Sequence, residues 1–260
     1  MKLCFSTLGC TDYTLGEAIA LAKKHKMNAI EIRGLSGVLD NEKIPFFSEE
    51  ESKNTKNLLT EASISPLVLG TSSTFHDPEK YEAAISEGLA ALKIASRIGF
   101  SAIRVFGDRI EGDEAECLTR ISEGILTLCK EAEGLGVQVF LEVHGEINTA
   151  ERIEKIVAAC EKSPAFGLIW DVCHTRKTCE PRAFYERFAP YIRHVHFKDI
   201  TGDAHVLPGE GELPLREIAE MMTKGRYEGY FSLEWEKKWH PELPPIEEAL
   251  ERYIRLFASV

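Results

Sequence analysis

No apolar stretch in the 260-residue chain is long enough to cross a bilayer, so a transmembrane helix is not expected. Met1–Lys2 leads straight into a strand-like run, without the basic segment and longer apolar stretch of a signal peptide. The seven cysteines (Cys4, Cys10, Cys117, Cys129, Cys160, Cys173, Cys179) include no C-x-x-C pair, which excludes zinc-finger and thioredoxin readings. Scattered and odd in number, they fit a reduced, cytoplasmic protein. Positive charge is also scarce: 31 Lys and Arg against 42 Asp and Glu leave a formal net charge of -11. Nucleic-acid binding depends on Lys and Arg neutralising phosphates, so no nucleic-acid partner is expected. After the first apolar run the chain reads Ser6-Thr7-Leu8-Gly9-Cys10-Thr11, without the G-x-G-x-x-G of a dinucleotide-binding open sheet.

What the chain does have is strict alternation. Strand-like runs at Leu3–Phe5, Ala29–Ile32, Ile64–Leu69, Ala102–Phe106, Val137–Leu141, Phe166–Trp170, Ile192–Val195 and Tyr230–Leu233 are separated by helix-period segments. Thr14-Leu15-Gly16-Glu17 offers a capping box, Ser48 to Glu51 opens a second helix, and Asp77-Pro78 starts a third that runs to Ile98 with Gly99 as its cap. Further helices are expected from about Glu114 to Leu135 and near Thr149–Cys160, Arg182–Phe188, Pro214–Lys224 and Ile246–Phe257. Such repetition without a long linker predicts a (β/α)8 TIM barrel forming a single domain over residues 1–260.

The last four runs end in Glu142, Asp171, His196 and Glu234. In a barrel, functional groups come from the C-terminal ends of strands, so this quartet points to one divalent-metal site at the mouth. Residues two apart on a strand share a face. His144 therefore goes with Glu142, His194 and Lys198 with His196, and Ser232 and Glu236 with Glu234. Hard carboxylates with one imidazole suit Mn2+ best, with Mg2+, Co2+ and Zn2+ as alternatives. Cys173, close to Asp171, is not taken as a ligand. Taken singly, each carboxylate reads as a helix cap or surface ion pair, the histidines as core residues and Trp170 and Trp235 as packing. The recurrence over consecutive strands favours the metal.

Leu141-Glu142-Val143-His144-Gly145, Ile169-Trp170-Asp171-Val172-Cys173-His174 and His194-Val195-His196-Phe197-Lys198-Asp199 resemble strand-five, six and seven signatures. Those belong to the sugar phosphate isomerase/epimerase family, the xylose isomerase-like TIM barrels that include endonuclease IV. Leu207-Pro208-Gly209-Glu210-Gly211-Glu212 resembles the loop after strand seven and Leu233-Glu234 the end of strand eight, so the likeness covers nearly the whole chain. The resemblance implies Glu142, Asp171, His196 and Glu234 as metal ligands and His174 as a substrate contact. It also implies Glu142 and Glu234 as the acid–base pair of a sugar or sugar-phosphate isomerase or epimerase working through an enediolate. His144, Arg33, Arg104, Lys198 and His205 are further candidate substrate contacts, with Glu31, Arg33, Arg104 and Lys198 facing a carboxylate or phosphate. For Arg104 a salt bridge inside the barrel is an equal alternative.

Departures from the pattern keep other readings open. Lys198-Asp199 replaces the Gly-Glu pair of ketose epimerases and no arginine follows, so a dehydratase of the 3-dehydroshikimate type stays open. Asp203-Ala204-His205 resembles the Asp-x-His pair of the abasic-site nucleases, but Gly70-Thr71-Ser72 and Gly107-Asp108 lack that cluster's remaining histidines. A non-catalytic sugar-binding barrel would show a broken ligand set. Tyr227, Tyr230 and Trp239-His240-Pro241 are candidates for a pocket lid or for the interface of a homo-oligomer.

Overall fold

In a computed structural model, which describes residues 1–258 and 260, the apolar runs become parallel strands. These are β1 (Lys2–Phe5), β2 (Ala29–Ile32), β3 (Ser65–Thr74), β4 (Ala102–Phe106), β5 (Gln138–Glu142), β6 (Phe166–Asp171) and β7 (Ile192–Phe197). A short antiparallel hairpin of β8 (Asp199–Thr201) and β9 (Ala204–Val206) then precedes the last barrel strand, β10 (Tyr230–Leu233). The sheet runs β1-β10-β7-β6-β5-β4-β3-β2, and a parallel bridge between Ser6 and Glu31 joins its two ends. The fold is the (β/α)8 barrel that the alternation predicts.

Around it lie α1 (Leu15–Lys24), α2 (Ser52–Ala62), α3 (Tyr81–Ile98), α4 (Glu114–Leu135), α5 (Ala150–Cys160), α6 (Val172–Thr175), α7 (Pro181–Phe188), α8 (Leu215–Lys224) and α9 (Ile246–Phe257). The capping box forms as expected: Glu17 N donates to Thr14 Oγ1 and Thr14 N to Glu17 Oε2. Three boundaries differ from the sequence reading. α2 starts at Ser52 because Pro45–Phe47 forms a separate 3-10 turn. α3 starts at Tyr81 because the Asp77 carboxylate accepts from Glu79 N and holds a turn ahead of the helix. β3 continues past Leu69 to Thr74, with register shifts on both sides.

Helix faces pack against the outside of the strands through one continuous apolar layer. A separate small cluster of Val68, Ala102, Phe140 and Ile169 fills the barrel interior. Phe140 and Ile169 each precede a site carboxylate (Glu142, Asp171) by two residues on the same strand face, so this apolar plug floors the site. Trp170 stacks on Phe184 and its indole donates to Thr175 Oγ1, while the Trp235 indole donates to Pro244 O, so both tryptophans pack as expected. Among the described residues no helix is long and apolar enough to cross a membrane.

Candidate functional site

Strand register gathers the quartet. Asp171 pairs with His196 across β6–β7 and Ser232 pairs with His196 across β7–β10, so Asp171, His196 and Glu234 converge. Glu142 ends β5 beside Ile169. All four are buried, and each offers one ligand atom, these atoms lying within 4.8 Å of one another. His196 Nδ1 is 3.6 Å from Glu142 Oε2 and 3.5 Å from Glu234 Oε1.

The remaining nitrogen of His196 explains its orientation. His196 Nε2 and His194 Nε2 each lie 3.0 Å from Glu31 Oε2, and Ser232 Oγ donates to the same oxygen at 3.0 Å. With Glu31 ionised, both rings donate through Nε2, and Nδ1 of His196 is aimed into the quartet; burial lowers the pKa of this ring, but Glu31, Glu234 and Glu142 raise it well above normal. Burial pushes the Glu31 carboxyl up, but the two histidines overcome that and hold it well below the usual carboxylate range. Glu31 thus supports a histidine of the quartet instead of facing an anionic substrate group.

Cations balance the carboxylates. Arg104 Nη1 donates to Glu142 Oε2 at 2.7 Å, its Nη2 donates to Thr71 O, and its guanidinium lies over the Phe106 ring. The salt-bridge alternative for Arg104 is therefore realised. Gly70 makes room for it: a Cβ there would stand 2.6 Å from Arg33 Cδ and 3.0 Å from Arg104 Nη2. Lys198 Nζ lies 2.7 Å from Asp171 Oδ2 and 2.6 Å from both Glu234 Oε2 and Glu236 Oε1, which raises its pKa well above normal against the opposing effect of burial. Lys198 is thus an internal counter-ion of the site. Burial raises the Glu234 carboxyl to about 7, with Lys198 and His196 opposing it.

The cavity above these groups, about 120 Å3, is lined by Arg33, Arg104, Phe106, Glu142, His144, Lys198, Glu234, Glu236 and Trp239, together with Leu8. Arg33 donates to Leu39 O and Ser72 Oγ. His144 Nδ1 lies 3.1 Å from Asp108 Oδ1, and its ring packs 4.2 Å from that of His174. Burial lowers the His174 pKa to about 4, so the ring is neutral. The chain turns into α6 after Asp171, so strand alternation ends there, and Cys173 N donates to Asp171 Oδ1.

His205 lies outside the lined cavity, with its Nε2 3.8 Å from Glu236 Oε2 and its ring 4.6 Å from His240. Asp203 parts company with it: 84% exposed, it pairs with Arg176 and Lys177. The Asp-x-His pair of the nuclease reading is not assembled. Sequence reasoning also missed Asp199, whose carboxylate accepts from the N–H groups of Ile200, Gly209, Gly211 and Leu213 and so gathers the loop after β9. The Leu207-Pro208-Gly209-Glu210-Gly211 motif was its visible signal.

With the site assembled at the mouth of a parallel barrel, comparison with known proteins becomes specific. A family model, the xylose isomerase-like TIM barrel, matches residues 19–256, and the chain belongs to that family. It is 31% identical over 147 residues to fructoselysine 3-epimerase of Escherichia coli O157:H7, covering 53% of each protein. It is 25% identical over 160 residues to inosose dehydratase of Clostridium beijerinckii, covering 52% of this chain and 53% of that one. The chain thus spans about half the length of the curated relatives it matches. A solved structure of the IOLI protein with a binding zinc atom superimposes with a TM-score of 0.81 at 20% identity, over 98% of this chain and 96% of that one, a likeness of fold.

Proposed function

We propose that this chain, read as one barrel domain over residues 1–260, is an epimerase or isomerase. Its substrate is a small keto sugar, a sugar phosphate or a polyol-derived ketone, and its chemistry moves a proton beside the carbonyl. One observation carries the reading most: the buried convergence of Glu142, Asp171, His196 and Glu234 at the strand ends. That set fits a divalent cation. His196 Nδ1 is buried without a hydrogen-bond partner and faces Glu142 Oε2 and Glu234 Oε1, and three carboxylates with one imidazole match a hard ion. Those four residues would hold it, with Mn2+ the choice their chemistry favours and Zn2+ the ion of the similar IOLI structure. When bound it would supply Lewis acidity to a substrate carbonyl.

The chain's own residues do the rest. Glu142 and Glu234 come from opposite sides of the quartet, β5 and the end of β10, and act as the acid–base pair. One takes the proton from the carbon next to the carbonyl, leaving an enediolate, and the other returns a proton. Return to the opposite face of that carbon gives epimerisation, and return to the neighbouring carbon gives isomerisation. Arg104 keeps Glu142 ionised and in place. Phe106, Trp239 and the packed His144–His174 rings wall the substrate, and Glu31 holds the His196 ring in its orientation.

A second reading, dehydration, rests on Lys198. Its ammonium sits 2.6 Å from Glu234, where it can give a proton to a departing hydroxyl while Glu142 takes the proton from the neighbouring carbon. The inosose dehydratase likeness points the same way. Proton NMR in deuterated water separates the readings, using fructoselysine, free ketoses, ketose phosphates and inosose as probes. Deuterium entering beside the carbonyl with inversion or transposition supports the first reading, and loss of water supports the second. Undiminished turnover in Glu234→Gln contradicts the two-carboxylate mechanism.

A further inference from the structure

We propose a second divalent-cation site at the rim of the pocket, built from His205, Glu236 and His240, with zinc as the ion its donors suit. It is separate from the quartet and goes beyond the proposed reaction. His205 comes from β9, Glu236 lies two residues past Glu234, and His240 follows on the next turn of chain. Each offers one ligand atom, and these atoms lie within 4.8 Å of one another. The two imidazole rings are 4.6 Å apart, and Glu236 Oε2 is 3.8 Å from His205 Nε2. His205 Nδ1 is buried with no hydrogen-bond partner, an orphan that a structural role leaves unexplained. The exposed Glu242 carboxylate stands 3.3 Å from His240 Nδ1, the kind of outer partner that fixes a ligating ring.

The donor set differs from the quartet in kind. Two imidazoles and one carboxylate are nitrogen-rich, which suits zinc over manganese, and three protein ligands leave a position open. Glu236 can serve this ion without leaving Lys198. Its Oε1 holds Lys198 at 2.6 Å while Oε2 faces His205. Lys198 in turn touches Asp171 and Glu234, so Glu236 links the rim to the quartet.

The consequence is mechanical. An ion here ties the β8–β9 hairpin to the segment after β10, which carries Trp239, 53% exposed and part of the cavity lining. The rim ion would fix that wall of the pocket. It also changes what a second bound metal would mean, because Asp203, the nuclease-type partner of His205, is turned away to Arg176 and Lys177.

The test is zinc content by elemental analysis. Protein is stripped with chelator, loaded with zinc, desalted, and checked for folding by circular dichroism. Wild type is expected to retain two zinc ions per chain, His205→Ala and His240→Ala one, and His196→Ala one. Folded His205→Ala and His240→Ala proteins that keep the wild-type zinc content overturn the rim site. If they do so while His196→Ala loses zinc, the quartet stands alone. If the two rim variants lose zinc and His196→Ala does not, the rim site stands and the metal reading of the quartet fails.

Discussion

Strands β5, β6, β7 and the end of β10 deliver Glu142, Asp171, His196 and Glu234, whereas β2 and β4 with their exits deliver Glu31, Arg33 and Arg104 to the same mouth. The two groups differ in how their polar atoms are used. In the second half, His196 Nδ1 has no hydrogen-bond partner and faces Glu142 Oε2 and Glu234 Oε1, while Lys198 pairs with Asp171 and Glu234. In the first half, Arg104 donates to Glu142, Arg33 donates to Leu39 O and Ser72 Oγ, and Glu31 receives two histidines and a serine. One half offers ligands and the other holds them in place, so burial and charge alone do not separate a reactive carboxylate from a supporting one. What faces it does: Glu31 Oε2 accepts from two imidazoles and a hydroxyl, whereas Glu142 and Glu234 each accept from one cation.

That contrast can be broken by substitution, and the largest effects belong to the second half. Glu142→Gln and Glu234→Gln should each lower turnover by roughly 10²–10⁴-fold, the range for removing a positioned acid or base. Steady-state rates on whichever probe exchanges deuterium check this, and a change below tenfold in both would contradict it. Next comes the first-half support of Glu142. Arg104→Met removes a buried partner from a carboxylate and should cost about 3–5 kcal/mol of stability, read by denaturant unfolding. The double variant Arg104→Met/Glu142→Gln should recover part of that loss, and failure to recover would mean Arg104 stabilises by packing.

Glu31→Gln tests support without contact. It should weaken metal affinity by roughly 10–100-fold, as loss of the partner of a ligating histidine does, with the fold retained. Chelator competition measures it, and unchanged affinity would sever Glu31 from the site. The smallest effect is at the substrate wall: His174→Ala should raise KM by up to about tenfold, on the order of one hydrogen bond, with metal content unchanged. Metal lost from that variant would move His174 into the ligand set.

How much of this was legible follows the same division. Hydrophobic periodicity exposes the strands, and a strand ending in Glu142, Asp171, His196 or Glu234 shows itself because strand end and residue type coincide. Supporting residues show no such sign, since their partners are set by barrel closure: Glu31 meets His194 163 positions away and Arg104 meets Glu142 38 positions away. Lys198 reads as a substrate contact in sequence, yet the register of β6, β7 and β10 surrounds it with carboxylates. The β8–β9 hairpin was illegible for another reason. The adjoining loop is drawn in by a single carboxylate, that of Asp199, and no apolar pattern announces it.

The central claim is that Glu142, Asp171, His196 and Glu234 form one divalent-ion site. Titration of chelator-stripped protein with Mn2+, following free ion by electron paramagnetic resonance, tests it most directly because the nitrogen-rich rim set suits zinc instead. The account predicts one tightly bound manganese per chain in wild type and none in Asp171→Asn or His196→Ala. Manganese that never binds, or that binds equally well in both folded variants, would contradict it.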